Sequence, residues 1–270
     1  MNDYLNNVMN SAILKAAKAQ EANDKKTAFK IKIFGKLTYP MKTQYNPVIP
    51  FNIYQTWWTK ELPPLMRKTV NTIIKNNPAF KHQLFDDNDC RNFIKDNFDE
   101  NVVKAYDTLI PGAYKADLWR YCILYKKGGI YLDIKYKPHN GFKFINLTEK
   151  EHWVLDADKN GVYNALMVCK PNNPILLQSI NRVVENVRNR YYGSNCLQPT
   201  GPLMLADFFC RKTKNNFDMK HEYLISIQNK IIFLNKFIVF KSYHGYSNEQ
   251  SANQKTGHYS SLWSTRQIYN

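Results

Sequence analysis

Short apolar runs alternate with helical stretches from residue 48 onward, and this alternation restricts the fold more than any other feature. VIPFNIYQTWW (48–58) predicts a first strand, a helix over 64–76 follows, and AFKHQLFDD (79–87) predicts a second strand. This order favours an α/β fold with a mostly parallel, Rossmann-like mixed sheet flanked by helices.

The same alternation continues through the middle of the chain. The Asp and Asn residues of DDNDCRNFIKDNF are typical of a helix start, and AYKADLWRYCILYKK predicts a helix that ends at Gly128. GIYLDIKY and VYNALMVCKP read as strands, and NPILLQSINRVVENVRNRYY has the apolar stripe of an amphipathic helix.

Residues 1–45 differ from the rest and predict a short appendage, with a Lys/Ala-rich helix and an alternating strand, FKIKIF (29–34). Residues 46–270 are expected to form one domain. With 270 residues, 44% of them apolar, the chain is long enough to bury a substantial core.

The compartment is inferred from what the sequence lacks. It has no uninterrupted apolar run of transmembrane length and no secretory signal at its start. Its five cysteines are scattered and form no CxxC motif, which fits reduced thiols. We therefore expect a cytoplasmic protein without a transmembrane segment.

The formal net charge of +16 raises the alternative of a nucleic-acid-binding protein. However, 30 of the 38 basic residues are Lys, and they are spread over the whole chain without a long basic block. No specific nucleic-acid surface is expected. The positive field favours a smaller polyanion, such as a sugar nucleotide or an acidic acceptor.

Two neighbouring segments carry the candidate site residues. Asp133 ends an apolar strand, the place where open α/β sheets bind ligands. In the preceding helix, Asp117, Arg120 and Tyr121 share one face. Alternatively, Asp117 and Arg120 form only a weak intrahelical ion pair, worth a few tenths of a kcal/mol. As site residues, Asp117, Arg120 and Asp133 should converge in one cleft.

The order of these segments resembles glycosyltransferase family 32, sugar transferases with a DXD motif that include initiating mannosyltransferases. The resemblance implies a GT-A type fold, a UDP- or GDP-sugar donor, retention at the anomeric carbon and usually a divalent metal, Mn²⁺ or Mg²⁺. It covers about residues 49–263 and is carried by IYQTWWTKELPP, YKADLWRYCILYKKGGIYLDIKY, YNALMVCKPNNPIL, PTGPLML and GHYSSLWS.

The family pattern implies a nucleoside pocket formed by Gln55, Thr56 and Trp57, in which the indole stacks on a base. It also implies that the indole N–H of Trp263 reaches the diphosphate. The alternative for Trp57 and Trp263 is a place in the core.

Around the sugar, the resemblance places Asp117 and Arg120, the carboxylate for hydroxyl groups and the guanidinium for a phosphate or a developing charge. Asp133 corresponds to the first acid of DXD, and His258 to a histidine near the metal. The alternative for His258 is an ordinary loop histidine.

Lys135 stands where the second acid of DXD is expected, and a hard cation does not accept an ammonium ligand. Three interpretations follow. Asp133 holds the metal with another donor such as His258 or Asn253, or Lys135 itself supplies the positive charge to the leaving group. In the third, catalysis is lost.

Asp156 and Asp158 form a second D-x-D sequence, in a segment rich in turn formers. A turn is the first interpretation. The alternative is that this segment, together with Asn164, borders the donor sugar or the acceptor.

The leading hypothesis is a retaining glycosyltransferase that moves a hexose from a UDP- or GDP-sugar to a glycan, lipid or protein acceptor, in a bacterium or a large DNA virus. A catalytically inactive nucleotide-sugar-binding relative is the alternative, followed by a nucleic-acid-binding protein. Turnover of the donor distinguishes the first two.

Overall fold

The structure is a computed structural model that describes residues 34–156, 161–209 and 224–270. The predicted N-terminal helix, most of the FKIKIF strand and Asp158 lie outside the described residues. The strands are β1 Asn52–Thr56, β2 Lys81–Phe85, β3 Gly129–Leu132, β4 Tyr136–Pro138, β5 His152–Asp156, β6 Gly161–Cys169, β7 Leu224–Ile227, β8 Ile231–Leu234 and β9 Phe237–Ser242.

The helices include all those predicted within the described residues, together with others that the sequence pattern did not indicate, such as α3. A 3₁₀ turn also spans Phe144–Leu147. The helices are α1 Pro64–Asn76, α2 Asp87–Asn97, α3 Glu100–Thr108, α4 Gly112–Lys127, α5 Pro174–Arg188, α6 Pro202–Ala206, α7 Tyr246–Asn253 and α8 Tyr259–Ser264.

One mixed sheet joins all nine described strands in the order β2-β1-β3-β6-β5-β7-β8-β9-β4. The pairs β1/β2, β1/β3 and β5/β7 are parallel. The other pairs of described strands are antiparallel: β6 runs against both β3 and β5, the strands β7, β8 and β9 form a meander, and β4 pairs with β9. The α/β class and the mixed sheet are confirmed, with the Rossmann-like parallel part concentrated in the N-terminal half.

The sheet buries both of its faces, as the apolar strand sequences predict. In β3, Tyr131 faces the cluster formed with α4 and α5, whereas Ile130 and Leu132 face a second cluster on the opposite side. Because successive side chains of a strand point to opposite faces, the position of each residue in β3 decides which cluster it packs into.

Helix α4 lies in the middle of the first cluster and is buried over most of its length. It ends at Gly128, whose φ of 59° is in the left-handed region, as the sequence predicted for this helix cap. A Cβ at Gly128 would approach the backbone nitrogen of Pro171 to 2.7 Å. The turn therefore requires glycine, and it delivers the chain directly into β3.

Part of the predicted appendage contacts the domain. Tyr39 packs edge-on against Phe142 and Phe237, at 5.3 and 5.2 Å between ring centroids. The boundary at residue 45 stays a prediction. Within the described residues, no helix combines the length and the apolar character that a membrane crossing needs.

Burial of His152 in β5 makes stability depend on pH. The side chain is 1% exposed, and burial lowers its pKa from 6.5 to about 3. Because the unfolded chain then binds a proton that the folded chain does not, stability is complete above about pH 6.5 and falls as the pH drops toward 3. We expect a loss of about 1 kcal/mol per pH unit from this group.

The measurement is urea unfolding at several pH values for the wild type and His152→Gln. The variant should lose less stability than the wild type between neutral pH and pH 5. The exposed His244 supplies the matched control, His244→Gln, which should keep the wild-type slope. Equal slopes for all three proteins would contradict the prediction.

Candidate active site

A cleft of about 420 Å³ opens where β1 and β3 end. Asp133 follows β3 directly and lines this cleft. Thr56, the last residue of β1, and Trp57, the residue after it, line it too. The opposite wall comes from the C-terminal part of the chain, including Tyr246 and His258. The cleft therefore lies at the carboxyl ends of parallel strands, as predicted for ligand binding in this fold class.

The three residues on which the sequence hypothesis depends converge in one cluster, where this cleft meets a smaller neighbouring cavity. Arg120 Nη2 lies 3.2 Å from Asp117 Oδ1, and Arg120 Nη1 lies 3.3 Å from Asp133 Oδ1. The side chains of Arg120 and Asp117 are only 6% and 10% exposed. This is a buried cluster rather than the weak surface ion pair of the alternative.

Arg120 directs its hydrogen bonds inward. Its Nε donates to the Ala116 carbonyl at 3.1 Å and its Nη1 to the Asn164 carbonyl at 2.8 Å, in addition to the two carboxylates. The guanidinium carbon also lies 4.3 Å from the ring centroid of Tyr131. With these partners Arg120 positions the two acids, and it has little capacity left for a phosphate.

Asp117 is held by hydrogen bonds on both of its oxygens. Asn164 Nδ2 donates to Oδ1 at 2.9 Å, and Thr200 Oγ1 donates to Oδ2 at 2.7 Å. Burial raises the pKa of the Asp117 carboxyl, while the Arg120 guanidinium and these two donors oppose that rise. Asn164 thus reaches the site from β6, next to Asp117.

Lys135 lies two residues after Asp133, in the turn between β3 and β4. Its Nζ lies 3.5 Å from Asp133 Oδ2, and its side chain is 15% exposed. Burial by itself would lower the pKa of Lys135, but the neighbouring Tyr136 and Asp133 oppose it and the net direction is upward. Lys135 is therefore an ammonium ion at neutral pH.

A smaller cavity of about 120 Å³ adjoins the cleft. Asp117, Asn164 and Gly201 line only this smaller cavity, whereas Arg120, Asp133 and Lys135 line both. These three charged residues thus form the junction between the two spaces.

The residues present do not fit a divalent metal. Within 34–156, 161–209 and 224–270, no group of three or more His, Cys, Asp and Glu residues is placed to hold one. Asp133 Oδ1 accepts from Tyr131 at 2.8 Å and from Arg120, and Oδ2 faces the Lys135 ammonium. The Nδ2 of Asn253 donates to the Glu249 carbonyl inside α7.

Two predicted site residues do not line the cleft. Gln55 is fully buried; its Nε2 donates to the Leu132 carbonyl at 3.2 Å and its Oε1 lies 2.9 Å from His82. The indole N–H of Trp263 donates to the Tyr192 carbonyl at 2.7 Å. Their roles in binding the donor stay predictions.

The other predicted residues lie at the cleft, and their roles stay predictions. Thr56 lines it, although its hydroxyl donates to the Phe85 carbonyl. Trp57 lines it and also packs on the apolar cluster around Met66. His258 lines it with Nδ1 2.7 Å from Ser260 Oγ, at the start of α8. Asp156 borders the smaller cavity from the end of β5.

Sequence reasoning missed several residues of the site. Tyr131 was detectable, since it stands two positions before Asp133 in a strand and so shares its side. Thr200 follows no spacing rule relative to Asp117, and it is 83 residues away. Three further lysines line the cleft from segments without a motif: Lys115, Lys230 and Lys255.

Comparison with known proteins shows the family of the chain. Residues 63–165 match the model of the family described as glycosyltransferase sugar-binding region containing DXD motif. An uncharacterized glycosyltransferase of Acanthamoeba polyphaga mimivirus is 32% identical over 178 residues, which are 63% of this chain and 68% of the relative. The chain belongs to this family of DXD glycosyltransferases, and the predicted transferase class and α/β fold are confirmed.

Other similarities are more distant. Inositol phosphoceramide mannosyltransferase 3 of Schizosaccharomyces pombe is 28% identical over 177 residues, 65% of this chain and 49% of that protein. The chain thus spans about half the length of this relative. Among solved structures, the PaToxG glycosyltransferase superposes with a TM-score of 0.47 at 17% identity, covering 80% of this chain and 81% of its own.

Removing the charge of Asp117 tests whether the cluster is a stabilising unit. We expect Asp117→Asn to lower the free energy of unfolding by about 3 kcal/mol, because a buried ion pair loses one partner. Urea unfolding at neutral pH measures it.

The matched control is the pair of Asp107 and Arg91, joined by two hydrogen bonds of 2.8 and 2.7 Å but 41% exposed on each side. Asp107→Asn should cost much less, because solvent screens the pair. If both variants lose the same free energy of unfolding, burial does not make the Asp117 cluster more stabilising than an exposed ion pair.

Proposed function

We propose that the protein transfers a hexose from a UDP- or GDP-sugar to a glycan, lipid or protein acceptor with retention of configuration. The observation that carries this proposal is the convergence of Asp117, Arg120 and Asp133 between two connected cavities. The larger cavity is of the size that nucleotide ligands occupy, and the smaller is suited to a single sugar ring.

The lining of each cavity supports this division. Trp57 and Trp58 give the larger cavity aromatic surface for a base, and Lys115, Lys230 and Lys255 give it positive charge. Hydrogen-bonding groups of Asp117 and Asn164 line the smaller cavity, which suits sugar hydroxyls. A diphosphate between base and sugar would then lie at the junction.

The state of Asp117 supports a front-face route over a double displacement through this carboxylate. Both oxygens of Asp117 are engaged by Asn164, Arg120 and Thr200, so this carboxylate is poorly placed to attack a sugar. Front-face transfer needs no such nucleophile. The bond from the anomeric carbon to the phosphate oxygen breaks with its electron pair on the diphosphate. The acceptor oxygen bonds to that carbon from the same side, and its proton passes to the diphosphate.

The relatives indicate which sugar to test first. Inositol phosphoceramide mannosyltransferase 3 is named for mannose transfer to a phosphorylated inositol lipid. A nucleotide-activated mannose is therefore the first donor for this chain, and a lipid or glycan that carries negative charge is the first acceptor. The positive cleft suits both.

The test measures release of the nucleoside diphosphate from a panel of UDP- and GDP-sugars. The wild type should turn over at least one donor. Asp133→Asn should lose about a hundredfold in kcat/KM, because Asp133 orients both Arg120 and Lys135 at the junction.

Asp107→Asn, which removes a carboxylate outside the cleft, is the control and should keep the wild-type rate. Binding of a donor without any turnover would favour the inactive relative. If no donor binds, the proposal is wrong.

A further inference from the structure

Lys135 is fixed in place more firmly than an ordinary surface lysine. Its carbonyl accepts from the Tyr243 backbone N–H at 2.9 Å, and Tyr136 N–H closes the turn onto the Asp133 carbonyl at 3.0 Å. The ammonium lies 5.2 and 5.5 Å from the ring centroids of Tyr136 and Tyr163. These contacts hold the charge at one position with little loss of side-chain freedom on binding.

The balance of charge in the cluster formed by Asp117 and the three junction residues differs from that of a metal site. With all groups ionised, Asp117 and Asp133 carry two negative charges, and Arg120 and Lys135 carry two positive charges, so the sum is zero. An acid at position 135 would change this sum to two negative charges, which a divalent cation neutralises. The cluster is thus neutral without any metal.

Of the two cations in this cluster, Lys135 has more donors available to a ligand. Arg120 directs Nε and Nη1 at Ala116, Asn164 and Asp133, and its Nη2 is ion-paired with Asp117. Lys135 has three N–H donors, and Asp133 is its ion-pair partner among the described residues, at 3.5 Å. Its side chain lines both cavities.

We propose that the Lys135 ammonium binds the diphosphate of the donor and stabilises its negative charge as it leaves, so that donor binding and transfer need no divalent metal. This inference rests on the function proposed above. A positioned cation performs the electrostatic part of what a metal ion does at a leaving group. In the balanced transfer described above, Lys135 keeps its proton and makes no covalent bond.

The experiment titrates UDP and GDP into the full chain by calorimetry, first in EDTA and then in Mn²⁺. At least one of the two should bind the wild type with the same Kd in both conditions. Lys135→Ala should weaken this binding by about tenfold to a hundredfold, the loss expected for one charge-assisted contact. Donor turnover should likewise be insensitive to EDTA in the wild type.

The matched control is Lys236→Ala. Lys236 also holds its ammonium over an aromatic ring, 5.5 Å from the centroid of Phe237, but it does not line the cleft. This variant should bind the nucleotide as the wild type does. Lys135→Arg keeps the charge and should retain binding in EDTA, which decides the question if Lys135→Ala fails to fold.

The most direct variant is Lys135→Asp, which restores the D-x-D sequence. It should bind the nucleotide poorly in EDTA and recover binding in Mn²⁺, because the junction then carries two uncompensated negative charges. Nucleotide binding by the wild type that disappears in EDTA and returns with Mn²⁺ overturns this inference and leaves the proposed function intact. Absence of binding in both conditions overturns both.

Discussion

One buried guanidinium organises the site. Arg120 is 5% exposed, and its partners come from α4, from the residue after β3 and from β6. A charge at this depth is tolerated only when it is paired and hydrogen-bonded, so the positions of these three elements depend on one another. The Arg120 side chain therefore fixes both the packing of α4 against the sheet and the geometry of the two acids.

The positions of the charged residues indicate what this protein binds, whereas its net charge does not. The net value of +16 comes mainly from lysines distributed over the whole chain, a pattern that by itself indicates no partner. The floor of the cleft is neutral by comparison, and the lysines around it give the cleft its sign. A polyanionic ligand would therefore meet an attractive rim and a floor at which Lys135 directs its ammonium.

The sequence was sufficient for features that depend on local periodicity. The helix that carries Asp117 and Arg120, its glycine cap and the strand that ends at Asp133 follow from spacing within 25 residues or so. The hydrogen bonds that hold Gln55 and Trp263 away from the cleft could not be predicted, because their partners, Leu132 and Tyr192, come from distant segments. The β7-β9 meander was missed although it is local, since its apolar runs are joined by short turns at 228–230 and 235–236. The lysines of the cleft rim were missed because tertiary contacts place them and no motif marks them.

The far wall of the cleft has a consequence for how the domain is made. Trp58 Nε1 donates to the Asn253 carbonyl at 2.6 Å across 195 residues of sequence, and Glu249 accepts from the backbone N–H groups of Leu65 and Met66 at the start of α1. Such long-range closures form late in folding, after their loop entropy has been overcome. During synthesis, the nascent chain would therefore expose an open half-groove until residues 249–253 have emerged, and only then could the far wall of the cleft form.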